Sequence, residues 1–343
     1  MNPRRPPIAP PRGHGLRRRQ FLWLLGGAMA AAQPLPLRGQ PGGKIHRLGI
    51  LETVPASLNI TNLSSLYAGL REYGYVEGQN LAVDYRSADG QAGRFPQLAA
   101  ELVALNVDLI VTRGTPAALA AKNAPGNVPV VMAAIGEPLG AGVVADLARP
   151  GGKVTGFSAF TTELAGKRVE LLHEFMPQLR RFGFLHNMGN PVVPAQWGET
   201  QKAAQLLKLE PLLLDIRTQD DIRPAFETAS RERLQAILVG VDGLLQQNRR
   251  LIIDHAAAQR MPAMYSAREF MDDGGLIAYG VSYPNLYFRA AGLIDKILKG
   301  TRPADLPVQQ PTKFETVVNL KAAKALGIVI PESFLLRADE VIE

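Results

Sequence analysis

The sequence predicts an α/β protein of two consecutive lobes, each a parallel sheet with helices on both faces. Three observations carry this expectation. From residue 45 onward short apolar runs alternate with segments of helical periodicity, and the alternation restarts after a long helical segment at 162–175. The 343 residues, 46% of them apolar, suffice for two cores at a prior of roughly 150 residues per domain.

The first unit opens with a strand at Arg47–Leu51 and a helix on which Leu63, Leu66, Leu70 and Tyr73 share a face, with Gly74 placed to end it. A second strand at Leu81–Tyr85 leads to a helix carrying Phe95, Leu98, Leu102 and Leu105. A third at Val107–Val111 leads to a helix for which Thr115 is the expected N-cap and Pro116 the first helical residue. Strands at Val128–Met132 and Val154–Phe157 complete the unit. The helix at Thr162–Phe175 presents Leu164, Leu171, Leu172 and Phe175 as one stripe. Strands follow at Phe182–Leu185, Pro211–Leu214, Ala236–Val239, Ala263–Tyr265 and Leu276–Tyr279, separated by helical segments. A last strong helix carries Leu286, Ala290, Leu293, Ile294 and Ile297, and beyond it Phe314–Leu320 reads as extended and Lys321–Leu326 as helical.

Charge is unevenly placed. The formal charge is +7, yet residues 1–43 hold seven arginines and no Asp, Glu or Lys, which leaves 31 basic and 31 acidic side chains in the remainder. The body of the chain therefore gives no bulk electrostatic case for nucleic acid or an anionic membrane. Within those first residues an arginine-rich stretch precedes the apolar run Phe21–Ala32, with small residues at Ala30 and Ala32. That is the layout of an export signal. Arg18-Arg19-Gln20-Phe21-Leu22 looks like a twin-arginine core, with the general secretory route as the alternative. The run is 12 residues, too short for a membrane span of about 20. With no cysteine in the chain, disulfides, thiolate metal sites and lipid attachment through cysteine are excluded. The expected location is periplasmic, without a lipid anchor.

Catalytic patterns are missing. His14, His46, His173, His186 and His255 form no HExxH pair, and Gly156-Phe157-Ser158 and Gly280-Val281-Ser282 do not continue into a nucleophile elbow. Gly140-Ala141-Gly142 fits a dinucleotide fingerprint formally, but Ala133–Leu139 separates it from the preceding strand. No catalytic residue, metal ligand or cofactor is expected.

A binding pattern does emerge at the strand ends, where open α/β sheets hold ligands. The candidates are Ser57, Gly114, Thr115, Glu137 and Ser158 in the first unit, and Asn187, Asp242, Glu269 and Tyr279 in the second. Helix N-termini and hydroxyls would take a carboxylate, an Asp or Glu an ammonium, and Phe157, Tyr265 or Tyr279 an apolar body.

Leu70–Leu81, Gly114–Ala118, Ala148–Gly156, Gln310–Glu315, Asn319–Lys321 and Leu335–Ile342 together resemble the ABC-transporter substrate-binding family related to tryptophan-binding proteins, over essentially residues 45–343. The chain departs from the commoner pattern at Lys153, where Asn is frequent, and at Glu137, where Asp is usual. The resemblance implies a type I periplasmic binding fold: two Rossmann-like lobes joined by a hinge, closing on a small ligand. It implies delivery to a membrane permease driven by an ATPase, by a monomeric, non-enzymatic protein that binds no nucleic acid. The expected division is 1–43 as signal and flexible entry, 44–158 plus roughly 284–343 as lobe 1 with hinge and C-terminal segment, and 159–283 as lobe 2. The ligand class that fits both readings is an amino acid, aromatic in characterised relatives. The alternatives are a two-lobe enzyme acting on a small acid and a sensory ligand-binding subunit.

Overall fold

The first lobe runs β1 (His46–Glu52), α1 (Ile60–Glu72), β2 (Leu81–Ser87), α2 (Phe95–Ala104), β3 (Leu109–Arg113), α3 (Thr115–Asn123), β4 (Val130–Ile135) and β5 (Val154–Ser158). A computed structural model describes residues 44–343, and the leader assigned to residues 1–43 lies outside the described residues. All five strands are parallel, in the order β2-β1-β3-β4-β5. β3, β4 and β5 are buried along their whole length while the edge strand β2 is mostly half-buried, as a sheet covered on both faces requires. The winding direction reverses between β1 and β3, which opens a crevice at their carboxyl ends.

The second lobe begins with α4 (Glu163–Phe175), β6 (Arg181–His186), α5 (Val193–Leu206), β7 (Glu210–Asp215), α6 (Ile222–Arg231) and β8 (Ala236–Val239). It continues through α7 (Gly243–Gln247), α8 (Arg249–Ala258), β9 (Ala263–Tyr265), α9 (Glu269–Asp272) and β10 (Ile277–Val281). The order β7-β6-β8-β9-β10 repeats that of the first lobe, so a matching crevice opens between β6 and β8.

The chain then returns. Helix α10 (Tyr283–Leu298) packs against α1 and over β4 and β5 of the first lobe. The two helices touch closely because residue 69 is glycine: a Cβ there would lie 2.5 Å from the Phe288 carbonyl oxygen. Beyond α10, Gln309 seals the end of β5, donating its N–H to Gly156 C=O (2.7 Å) and accepting from Ser158 N–H (2.9 Å). The chain crosses back into β11 (Phe314–Asn319), α11 (Leu320–Leu326), α12 (Glu332–Leu335) and β12 (Glu340–Ile342).

This last stretch corrects one expectation from the sequence. The expected division places 284–343 with the first lobe as hinge and C-terminal segment, but β11 pairs antiparallel with β10 and β12 pairs parallel with β11, extending the second sheet to seven strands. Ala323, Ile330 and Phe334 are buried in the second lobe's core, so 314–343 belongs there. An apolar run after the last crossing could have completed either sheet; the open edge of β10 took it.

Candidate functional site

The two crevices face each other across one cavity, with about 50 Å³ open to the centres of water-sized spheres. One water needs ~10–15 Å³ on that measure, so the cavity suits a small organic molecule held with little slack. Its walls are the turns that follow β1 (Thr53), β3 (Arg113 to Pro116), β6 (Asn190) and β8 (Val241, Asp242), together with Thr161, Gln246 and Tyr283.

On the first-lobe side the wall is the start of α3. Gly114 (φ 86°) is the residue before the helix and Thr115 the first within it, so the helix starts one residue earlier than the capping pattern suggested. The first intrahelical bond runs from Ala118 N–H to Gly114 C=O (3.1 Å). The amides of Thr115 and Ala117 precede it, and Pro116 has none, so donors and the positive end of the helix dipole converge here. The Thr115 side chain is 2% exposed and its Oγ1 has no hydrogen-bond partner. A buried hydroxyl without a partner is costly, and a ligand oxygen would remove that cost.

On the second-lobe side stands Asp242, the cap of α7. Its Oδ1 accepts from Leu244 N–H (2.9 Å) and Asn187 Nδ2 (3.3 Å), and its Oδ2 accepts from Asn190 Nδ2 (2.9 Å). Two carboxylate oxygens offer about four acceptor positions, so one remains on Oδ2. Gln246, 3% exposed, also lines the cavity and its Nε2 has no partner. Phe95, Ile135, Val192, Val241 and Leu244 supply apolar wall between these polar ends.

Arg113 lines the cavity as a cation, but its charge is already matched. The guanidinium donates to Glu269 (2.8 Å) and to Asn59 Oδ1 (3.4 Å) and lies 4.3 Å from the centre of the Tyr283 ring. Burial alone would disfavour its charge, yet the Glu269 carboxylate, helped by Tyr287, Tyr283 and Glu52, raises its pKa above the ordinary arginine value. Glu269 moves the other way: burial would raise its carboxyl, but Arg113 holds it below the usual range. Glu52, fully buried behind Arg113 and accepting a hydrogen bond from Tyr287, is raised by its burial.

Of the candidates read from sequence, Gly114, Thr115 and Asp242 line the cavity. Asn187 and Glu269 stand behind the wall, holding Asp242 and Arg113. Ser158 is buried at the first crossing, where its Oγ accepts from Phe160 N–H (3.3 Å), and Tyr279 accepts from Arg168 through its backbone oxygen (2.9 Å). Ser57 is exposed and Glu137 half-buried, and neither lines the cavity. The sequence reading missed Thr161, Asn190, Gln246 and Tyr283 as wall residues. Asn190, like Asn187, follows β6 and shares its signal; Gln246 and Tyr283 sit inside helices, where strand-end reasoning does not reach. Among the described residues no group of three or more His, Cys, Asp or Glu is placed to hold a metal ion.

The sequence pattern of the family described as "ABC transporter substrate binding protein" matches residues 51–342. A tyrosine-binding protein of Clostridioides difficile (strain R20291) is 26% identical over 259 residues, 76% of this chain and 74% of that one. Among solved structures, an ABC domain from Streptococcus pneumoniae in complex with L-Trp superposes with a TM-score of 0.77 at 31% identity, over 86% of this chain and 100% of that chain. A conserved domain protein from Vibrio cholerae O1 biovar El Tor superposes with a TM-score of 0.82 at 28% identity, covering 87% and 100%.

Proposed function

The chain belongs to the ABC transporter substrate-binding protein family, and we propose that it binds an α-amino acid with an apolar or aromatic side chain between its lobes. The single observation that carries this reading is that one cavity joins a helix start bearing an unpartnered hydroxyl, Thr115, to an anionic side chain with a free acceptor position, Asp242. The first suits a carboxylate and the second an ammonium. Because Arg113 is neutralised by Glu269, the carboxylate is left to α3, and among the described residues Asp242 is bonded by two asparagine amides and a backbone amide and by no side-chain cation. The apolar wall from Phe95 to Leu244 takes the side chain, in keeping with the L-Trp and tyrosine named for the two relatives.

Ligand contacts on both lobes favour the arrangement in which the lobes touch, and closure is a shift of the hinge population toward that state. The three crossings, at 158–163, 281–283 and 309–314, are the segments that would flex. We place the protein in the periplasm as a monomer, exported on the arginine-rich leader and delivering its cargo to a permease and ATPase without chemical change.

Titration calorimetry against the twenty L-amino acids, with the deamino and carboxamide analogues of any that bind, tests the reading. One or a few acids should bind, with both analogues weaker by about 10- to 100-fold, the loss of a partner to a charged group. A deamino analogue that binds as tightly as its parent would overturn the role of Asp242.

A further inference from the structure

We propose that Thr161 is a ligand-contacting donor whose hydroxyl proton is aimed into the cavity by a fixed relay from the second lobe, so that a carboxylate is clamped between Thr115 on one lobe and Thr161 on the other. This rests on the amino-acid reading above and adds to it a residue at the first crossing, just before α4.

The direction of the relay follows from one backbone amide. Asn187 N–H donates to His186 Nδ1 (2.9 Å), which makes that nitrogen an acceptor and places the ring proton on Nε2. Nε2 lies 3.1 Å from Gln196 Oε1 and must donate to it. The Gln196 amide is thereby oriented, and its Nε2 donates to Thr161 Oγ1 at 2.9 Å. A backbone amide cannot reverse its polarity, so the amide flip and the histidine tautomer are both determined rather than chosen. Thr161 therefore receives a hydrogen bond from behind, and none of the hydrogen bonds among the described residues takes up its own proton. His186, Gln196 and Thr161 are 0%, 2% and 5% exposed, which shields the relay from solvent exchange of partners.

The hydroxyl is in the right place. A Cβ built at Gly136 would lie 2.6 Å from Thr161 Oγ1 and 3.6 Å from Thr115 Oγ1, so both hydroxyls stand beside the same glycine, on the face where a side chain would otherwise project. Both side chains line the cavity, and one is a donor by relay while the other has no partner at all. An oxygen pair with full negative charge is the acceptor that two hydroxyl donors and a helix start would share; a primary amide brings one oxygen and no charge, and its NH₂ is met only by turning the Thr115 hydroxyl into an acceptor, at the loss of that donor.

The test uses the full mature chain and compares each binding L-amino acid with its own carboxamide. Thr161→Val should weaken the acid about 10- to 100-fold and shrink the preference for acid over amide, while Thr161→Ser should stay within about threefold of wild type. Gln196→Glu at pH 8 keeps the hydroxyl but turns it: Thr161 would donate to the introduced carboxylate and present a lone pair to the cavity. That variant should lose acid affinity and hold or gain amide affinity, an outcome that loss of packing does not produce. Wild-type acid affinity in Thr161→Val, or equal weakening by the Ser and Val variants, overturns the clamp and leaves the amino-acid reading intact. Silence of wild-type protein toward all twenty acids overturns the amino-acid reading, and the clamp with it.

Discussion

Arg113 at the end of β3 and Glu269 at the start of α9 form an ion pair of 2.8 Å between the two lobes, with side chains only 5% and 13% exposed. Asn62 of α1 donates to the same Glu269 oxygen (3.1 Å), so the first lobe grips this carboxylate twice. Because Arg113 and Glu269 stand on different lobes, separating the lobes would break the pair. Such pairs contribute little net stability because desolvation offsets attraction, but removing one partner leaves the other charged and buried.

Glu269→Gln should therefore disfavour the closed arrangement by about 3 kcal/mol and weaken amino-acid binding accordingly. Small-angle scattering should show a larger radius of gyration for the variant at subsaturating ligand. The double variant Arg113→Met with Glu269→Met should bind more tightly than either single change. Additive losses would mean that the two residues do not act as a pair.

Thr115→Val separates binding from folding. The hydroxyl has no partner in the protein, so replacing it with a methyl of similar size should leave the melting temperature of the ligand-free protein unchanged or higher. The affinity for the bound amino acid should fall about 10- to 100-fold. A variant that melts lower and binds normally would show that Thr115 serves the fold and not the ligand.

Much of this was readable from residue order. The strand-and-helix alternation gave both sheets because buried parallel strands are continuous apolar runs, as at Ile110–Val111 and Ile237–Val239. The candidates that reached the cavity, Gly114, Thr115 and Asp242, follow β3 and β8, one at each reversal of winding. Those that did not, such as Glu137 after β4 and Tyr279 within β10, belong to strands away from the reversals. Strand ends can be found by pattern, but strand order in a sheet is a tertiary fact, and only the order says which ends meet. The same limit hid the return of 314–343 to the second lobe, and it hid Arg113, whose charge could not be known to be matched before Glu269 was seen beside it.

Acid should destabilise the fold through His186. Burial lowers its pKa to about 4, against the ordinary 6.5, because the ring sits without solvent between Gln196 and the Asn187 amide. The folded state then refuses a proton that the unfolded state accepts, so stability is full above pH 6.5 and declines as pH falls toward 4, by about 3 kcal/mol in all. Glu52 and Glu163, whose carboxyls are raised chiefly by burial, act in the opposite sense, so the wild-type curve alone does not isolate the histidine. Urea unfolding of wild type and His186→Gln at pH 7, 6, 5 and 4.5 does. The stability difference between them should shrink as pH falls; a constant difference would mean that His186 titrates normally in the folded protein.

Gly136→Ala tests the geometry of the cavity itself. Gly136 has no backbone conformation that demands glycine, so alanine meets no strain from the main chain. The added methyl would instead meet Thr161 Oγ1 at 2.6 Å and Val192 Cγ2 at 3.2 Å, and it would stand between the two hydroxyls that face the carboxylate position. Thr161 is held by Gln196 and cannot turn away without breaking that bond, so the conflict is resolved by moving the lobes apart or by filling the ligand's place. The cost to the closed protein should be about 1–3 kcal/mol, that of one methyl too many in a packed site. The cost to binding should be larger, because the ligand loses both the space and its two donors. Calorimetry should show at least a hundredfold loss of amino-acid affinity, about 2.7 kcal/mol, with a ligand-free melting curve that remains a single cooperative step. If Gly136→Ala binds as wild type does, the carboxylate lies elsewhere in the cavity and the point between Thr115 and Thr161 is not its seat.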